Sequence, residues 1–185
     1  MSRLRLSGVA HAYALKEVLS DIDLTLDAGR VLALVGPSGC GKTTLLHLCA
    51  GLLTCQTGTL DNGFARPAVM FQQPRLLPWK TARDNIALGL KAAGLPRAEW
   101  QMRAQAMGHA VGLETTALDQ FPHQLSGGMQ SRAALARALV LEPDLLLMDE
   151  PFSALDIGLK AQLHRLLLDH QARRGVAVLM ITHDL

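Results

Sequence analysis

The residues Gly36-Pro37-Ser38-Gly39-Cys40-Gly41-Lys42-Thr43-Thr44 form the stretch whose types and spacing most clearly specify chemistry. They follow the apolar run Val31–Val35 and precede the helical run Leu45–Ala50. Glycines let consecutive backbone N–H groups turn inward on a phosphate, and the start of the following helix adds its dipole. Lys42 offers a cation to the β- and γ-phosphates of a nucleotide, while the Thr43 hydroxyl suits Mg²⁺. The pattern is G-x-x-x-x-G-K-[ST] in the strand–loop–helix context that it requires, so the stretch implies nucleotide binding. Cys40 sits inside the loop, where the dipoles favour a thiolate, but a small side chain that fits is the simpler expectation.

Two further strings add to this chemistry. Leu145-Leu146-Leu147-Met148-Asp149-Glu150 reads as a buried strand ending in two acids. Side chains alternate along a strand, so the two acids are expected to diverge. One can then complete a Mg²⁺ shell opposite Thr43, and the other can reach a water beyond the γ-phosphate. Leu125-Ser126-Gly127-Gly128-Met129-Gln130 precedes the helical run Ser131–Leu139. Its glycines permit close approach to an anion, and Ser126 presents a hydroxyl at the positive end of a helix. Two anion sites in one small chain make sense if a second copy shares the nucleotide.

The elements that must hold these groups follow from the apolar pattern. Leu4 and Leu6, then Ile22, Leu24 and Leu26, alternate with polar residues, as in half-buried strands. Val31–Val35, Leu145–Met148 and Val176–Ile181 are continuous apolar runs, expected of parallel strands covered on both faces. Helical patterns separate them, which implies a three-layer α/β core with an N-terminal antiparallel β region. From Thr81 to about Gly112 no strand is expected, and Trp100, Ala104, Met107 and Val111 fall at helical spacing as core positions. The core is expected over about residues 1–74 and 128–185, with a helical subdomain over about 75–127. Arg75, Lys80, Arg83, Lys91, Arg97 and Arg103 outnumber Asp84 and Glu99 there, which reads as a solvated face.

Composition limits the alternatives. The chain has 185 residues, 49% apolar and 18% charged, with a net charge of +2. That balance and the few aromatics (two Trp, one Tyr, four Phe) argue against nucleic acid as a partner. Cys40, Cys49 and Cys55 form no C-x-x-C pair, so a reducing compartment is expected rather than a disulfide framework. Neither a signal peptide nor a membrane span is expected, so work at a membrane would require a partner.

LSGGMQ, together with the phosphate loop, resembles the signature of ATP-binding cassette (ABC) ATPases, the P-loop motor subunits of ABC transporters. The resemblance runs over about residues 3–185. It implies that Gln72, in Val69-Met70-Phe71-Gln72, is the Q-loop glutamine, at the metal or its water, and that neighbouring Gln73 is not. It implies a D-loop at Ser153-Ala154-Leu155-Asp156, a switch histidine at His183 and an adenine-stacking aromatic at Tyr13. His11, His47, His109, His123, His164 and His170 lie in no motif. The implied working unit is a head-to-tail homodimer. ATP would lie between Gly36–Thr44 of one subunit and Ser126–Gly128 of the other, with Asp156 nearby. Glu150 would polarise the attacking water, His183 would contact the γ-phosphate, and Asp149 would help hold Mg²⁺. Closure would drive a transmembrane permease subunit at the cytoplasmic face of the cell membrane, with a solute-binding protein as a further partner.

Arg75-Leu76-Leu77-Pro78-Trp79, with Asn85-Ile86, resembles importer cassettes of the nitrate, sulfonate, taurine and pyrimidine-precursor group. The apolar segment reads either as a groove for a permease helix or as Trp79 packed into the helical insert. Two departures from the family stand out. Ser131 occupies a position where glutamine is usual, and the chain stops two residues after His183. A cassette truncated at the C-terminus is expected to bind ATP with little turnover. A soluble ABC protein outside transport is the other reading, although such proteins usually carry two cassettes or a long coiled coil.

Overall fold

The computed structural model describes residues 2–153, 155 and 157–182. Two antiparallel partners open the chain: β1 (Arg3–Tyr13) and β2 (Lys16–Asp27). They form a three-stranded sheet with β4 (Thr57–Asn62), in the order β2-β1-β4. Leu4 and Leu6 face inward at even positions, whereas Val9 and His11 are the buried residues further along. An extra residue makes this change of parity possible. Leu6 pairs with Leu24 but Val9 pairs with Ile22, so β1 bulges around Gly8, whose φ is +57°. The Gly8 N–H, released from the ladder, donates to Asp23 Oδ1 at 2.8 Å.

The second sheet has the order β3-β7-β6-β5. Its strands are β3 (Val31–Leu34), β5 (Pro67–Met70), β6 (Leu145–Asp149) and β7 (Ala177–Ile181), and β7 runs parallel to both β3 and β6. All five residues of β6 are buried, as its unbroken apolar run predicts. β3 departs from expectation. It is an edge strand whose residues alternate between exposed and half-buried, with Val31 48% exposed, so it is not covered on both faces. At the head of β6, the Asp144 carboxylate accepts from the N–H groups of Ala65 and Arg66, at 2.9 and 2.8 Å.

The helix α1 (Lys42–Cys49) contributes Leu45, Leu46, Leu48 and Cys49 to one buried cluster with Leu4, Leu6, Leu145, Leu147, Leu179 and Ile181. Leu147 is fully buried there. Leu147→Ala is expected to cost about 2–5 kcal/mol through lost burial and a residual cavity. At about 2–4 °C per kcal/mol, thermal unfolding should show a drop of several degrees. A shift within one degree would contradict this packing.

The remaining helices are α2 (Ala82–Ile86), α3 (Leu88–Ala92), α4 (Arg97–Ala110), α5 (Thr115–Leu118), α6 (Gly127–Leu139) and α7 (Ile157–Arg174). The chain divides into two compact units. The first comprises residues 1–69, 144–150 and 170–185, the second 70–143 and 151–169. The second unit extends beyond the expected 75–127, taking in residues 70–74, 128–143 and 151–169 and with them α6 and most of α7. On α4, Ala104 and the following Val111 are buried as expected. Trp100 instead carries the Lys91 ammonium over its ring, 3.9 Å from the centroid. The excess of basic residues is not simply a solvated face, since several of them are paired. Arg83 bonds Asp119 at 2.9 Å, Lys91 bonds Asp84 at 2.6 Å, and Arg103 lies between Glu99 and Glu142.

Candidate nucleotide-binding site

In the first unit, the chain leaves β3 through Val35, turns over Pro37–Cys40 with a Cys40 N–H to Pro37 O bond, and enters α1. Gly41 caps that helix at φ +93°. A Cβ there would lie 2.8 Å from both Leu19 Cδ2 and the Val18 carbonyl, so only glycine fits between β2 and the helix start. α1 has no side-chain cap. The N–H groups of its first turn therefore point along the loop with no side chain of their own to satisfy them, as an anion site requires. Lys42 folds back on the loop, its Nζ donating to Gly36 O at 2.7 Å and Pro37 O at 2.9 Å. Gly36, Pro37, Ser38, Gly39, Cys40, Gly41, Lys42, Thr43 and Thr44 thus share one short turn and helix start.

Thr43 Oγ1 donates to Asp149 Oδ2 at 2.8 Å, joining two residues far apart in the chain. Asp149 is 4% exposed, and a carboxylate so buried needs a partner or a cation. A hydroxyl and a carboxylate are hard oxygen donors, which suits Mg²⁺ completed by phosphate oxygens and water. Among the described residues no group of three or more His, Cys, Asp or Glu could hold a metal unaided. The residues present therefore fit Mg²⁺ delivered with a nucleotide.

The two acids do not share the strand whose alternation was expected to part them. β6 ends at Asp149, and Glu150 has left the strand at φ +45°. Its N–H donates to Ile181 O at 3.0 Å, anchoring it beside the end of β7. Tyr13 ends β1, 49% exposed. Cys40 is exposed, whereas burial pushes the Cys49 thiol up to about 12, leaving it protonated and inert.

The second unit holds Gln72, Gln73 and the Ser126–Gln130 stretch. Ser126 is the N-cap of α6, its Oγ accepting from the Met129 N–H at 3.3 Å. Gly127 has open space where a Cβ would be. Gln130 Nε2 donates to Pro122 O and Leu125 O at 2.9 and 3.2 Å, fixing the approach to this cap. Ser131 is buried. Gln72 and Gln73 lie exposed in the segment after β5. Ser153 is described and exposed, but Ala154, Asp156 and His183 lie outside the described residues.

Trp79 is 69% exposed and is not packed into the helices. Two residues hold its neighbourhood: Asn85, quoted from sequence only as part of a resemblance, and Arg137, which no motif singled out. Asn85, fully buried, donates to the carbonyls of Leu77, Lys80 and Thr81 and accepts from the Leu77 N–H. Arg137 donates to Pro74 O at 2.8 Å and Arg75 O at 2.9 Å, and burial lowers the pKa of its guanidinium. An asparagine a few residues after a Pro-Trp turn was the sequence signal for the first. Arg137 left no such signal.

Residues 19–153 match the family model described as ABC transporter. The aliphatic sulfonates import ATP-binding protein SsuB of Corynebacterium glutamicum is 46% identical over 177 residues, covering 96% of this chain and 72% of that protein. A second SsuB, from Pseudomonas aeruginosa, is 46% identical over 188 residues, covering 98% of this chain and 66% of its own. The taurine import ATP-binding protein TauB of Escherichia coli is 44% identical over 189 residues, covering 98% and 74%. Among solved structures, the dimeric post-hydrolysis state of the ATP-binding cassette MJ0796, bound to ADP and Pi, superposes with a TM-score of 0.92. It is 28% identical, covering 98% of this chain and 88% of that one.

Proposed function

The chain belongs to the ABC transporter family as an ATPase subunit, and on that premise we propose that it powers solute import by closing on ATP as a homodimer. The observation that carries this reading is the bond between Thr43 and Asp149, which joins the phosphate loop to the acidic strand end. In this reading the phosphate loop binds the triphosphate, and Lys42 leaves the Gly36 and Pro37 carbonyls for the β- and γ-phosphates. Thr43 and Asp149 hold Mg²⁺, and the role at the metal or its water falls to Gln72 by the family resemblance alone. The metal, when bound, neutralises charge that develops on the phosphates. Glu150 takes the proton of the attacking water, and the γ-phosphate contact falls to His183 by the family resemblance alone. Tyr13 stacks on adenine, while Ser126, Gly127, Gly128 and Asp156 serve the nucleotide of the partner subunit.

The solute is proposed to be a sulfonate or taurine, as in the names of the relatives. Substrate choice would rest with a transmembrane permease and a solute-binding protein. As an ATP-binding subunit like the import proteins it resembles, the chain is placed peripherally on the cytoplasmic face of the membrane; no described helix is long and apolar enough to cross one. The exposed Trp79 beside Leu76 and Leu77 favours a membrane partner over a non-transport role, because apolar surface of this kind is costly unless covered.

Ser126→Arg tests the shared nucleotide. The variant loses a helix cap, worth about 1 kcal/mol, and sets a bulky cation where the partner's nucleotide would approach. Light scattering with Mg-ATP and the slow Glu150→Gln background should show a dimer for the parent and a monomer for the Ser126 variant. ATP affinity of the monomer should stay within about threefold. A dimer at unchanged protein concentration would contradict the shared site.

A further inference from the structure

His11 is 5% exposed, and its Nδ1 is buried with no hydrogen-bond partner among the described residues. Buried polar atoms are ordinarily satisfied, so this imidazole weakens the fold relative to an apolar side chain of similar shape. A purely structural role therefore explains it poorly. Its ring meets Tyr13 edge to face, with centroids 4.9 Å apart and planes at 78°. The bulge at Gly8 is what turns His11 inward beneath Tyr13. On the intervening residue, Gln56 clamps both polar groups of the main chain. Its Oε1 accepts from Ala12 N–H at 2.8 Å, and its Nε2 donates to Ala12 O at 3.1 Å. His11 pairs across the strands with Leu19, whose side chain abuts Gly41 of the phosphate loop.

We infer that His11 and Gln56 are positioning residues for the nucleotide base. They hold the exposed Tyr13 ring in one orientation before the base arrives, Gln56 through the main chain and His11 through the ring. The inference rests on the reading of Tyr13 as the base-stacking residue. Pre-ordering a ring contributes to affinity by removing the entropy that binding would otherwise cost. The phosphate contacts are unaffected, so the two parts of the ligand separate the effects.

The test measures binding of ATP and of inorganic tripolyphosphate to the full chain by calorimetry. His11→Leu fills the buried space without a ring and removes the orphan nitrogen. It should hold or raise the unfolding temperature while weakening ATP about three- to tenfold, the scale of one aromatic pair. Tripolyphosphate affinity should stay within about twofold, and His11→Phe should restore ATP binding. Gln56→Ala should show the same selective loss. Tyr13 is the single tyrosine of the chain, so ¹³C-tyrosine labelling reports its ring directly. Its ring resonances should move toward averaged values in His11→Leu.

Combining His11→Leu with Tyr13→Ala should weaken ATP no further than Tyr13→Ala alone, because one residue acts through the other. An unchanged ATP affinity in His11→Leu, with a loss in Tyr13→Ala, overturns the inference and leaves base stacking intact. Equal losses of ATP and tripolyphosphate overturn it by pointing to general damage. Tyr13→Ala without effect on the preference for ATP overturns both the inference and the stacking it rests on.

Discussion

Lys42→Ala is expected to lower ATP affinity by about a hundredfold or more while leaving the fold intact. Each hydrogen bond to a charged group contributes roughly 1.5–3 kcal/mol, and Lys42 would serve two phosphates. The apo protein loses little in exchange. The Lys42 ammonium now satisfies the Gly36 and Pro37 carbonyls, which water can reach at this partly exposed turn. It also stands in the first turn of α1, where a cation opposes the helix dipole by about 0.3–1 kcal/mol. Removing it relieves that cost, so the unfolding temperature without nucleotide should hold or rise slightly. The stabilisation that excess Mg-ATP gives the parent should vanish, because a ligand stabilises only the state that binds it. Thermal unfolding with and without Mg-ATP measures both effects at once. Retained nucleotide stabilisation in the variant would remove Lys42 from the site, and a large drop without nucleotide would make it a structural residue.

Phosphate chemistry confines residue types within a few consecutive positions, which is why the loop Gly36–Thr44 was legible from sequence. The meeting of Thr43 with Asp149 was legible for a related reason. Asp149 closes one apolar run and Thr43 stands at the start of the helix that follows another, and parallel strands place both at one edge of the sheet. Ser126 as a helix cap follows from its hydroxyl ahead of two glycines. Other features depend on neighbours that no local pattern encodes. An apolar run cannot say whether its strand is central, as β6 is, or an edge, as β3 is. The four bonds of Asn85 belong to the shape of a loop rather than to any motif. His11 was hidden by parity. Alternation counted from Leu4 and Leu6 puts residue 11 outside, and only the bulge at Gly8 brings it in. Glu150 shows the same limit, because it was expected to continue the strand and instead leaves it at a positive φ.

That backbone conformation leads to the second large effect. Glu150→Gln is expected to slow ATP hydrolysis by about 10²–10⁴, the usual contribution of a positioned base. The substitution preserves size and removes the charge that would accept a proton, so ATP affinity should hold and ATP-driven pairing should last longer. A non-glycine residue at φ +45° stores roughly 1–3 kcal/mol of strain, kept in place here by the bond from its N–H to Ile181 O. Glu150→Gly separates the two roles, because glycine adopts that φ freely. It should raise the unfolding temperature while slowing hydrolysis as far as glutamine does. Phosphate release by each variant, relative to the unaltered chain, checks the first expectation and thermal unfolding the second. Turnover within threefold of the parent in both variants would show that another group takes the proton, and the strained carboxylate would then need a different explanation.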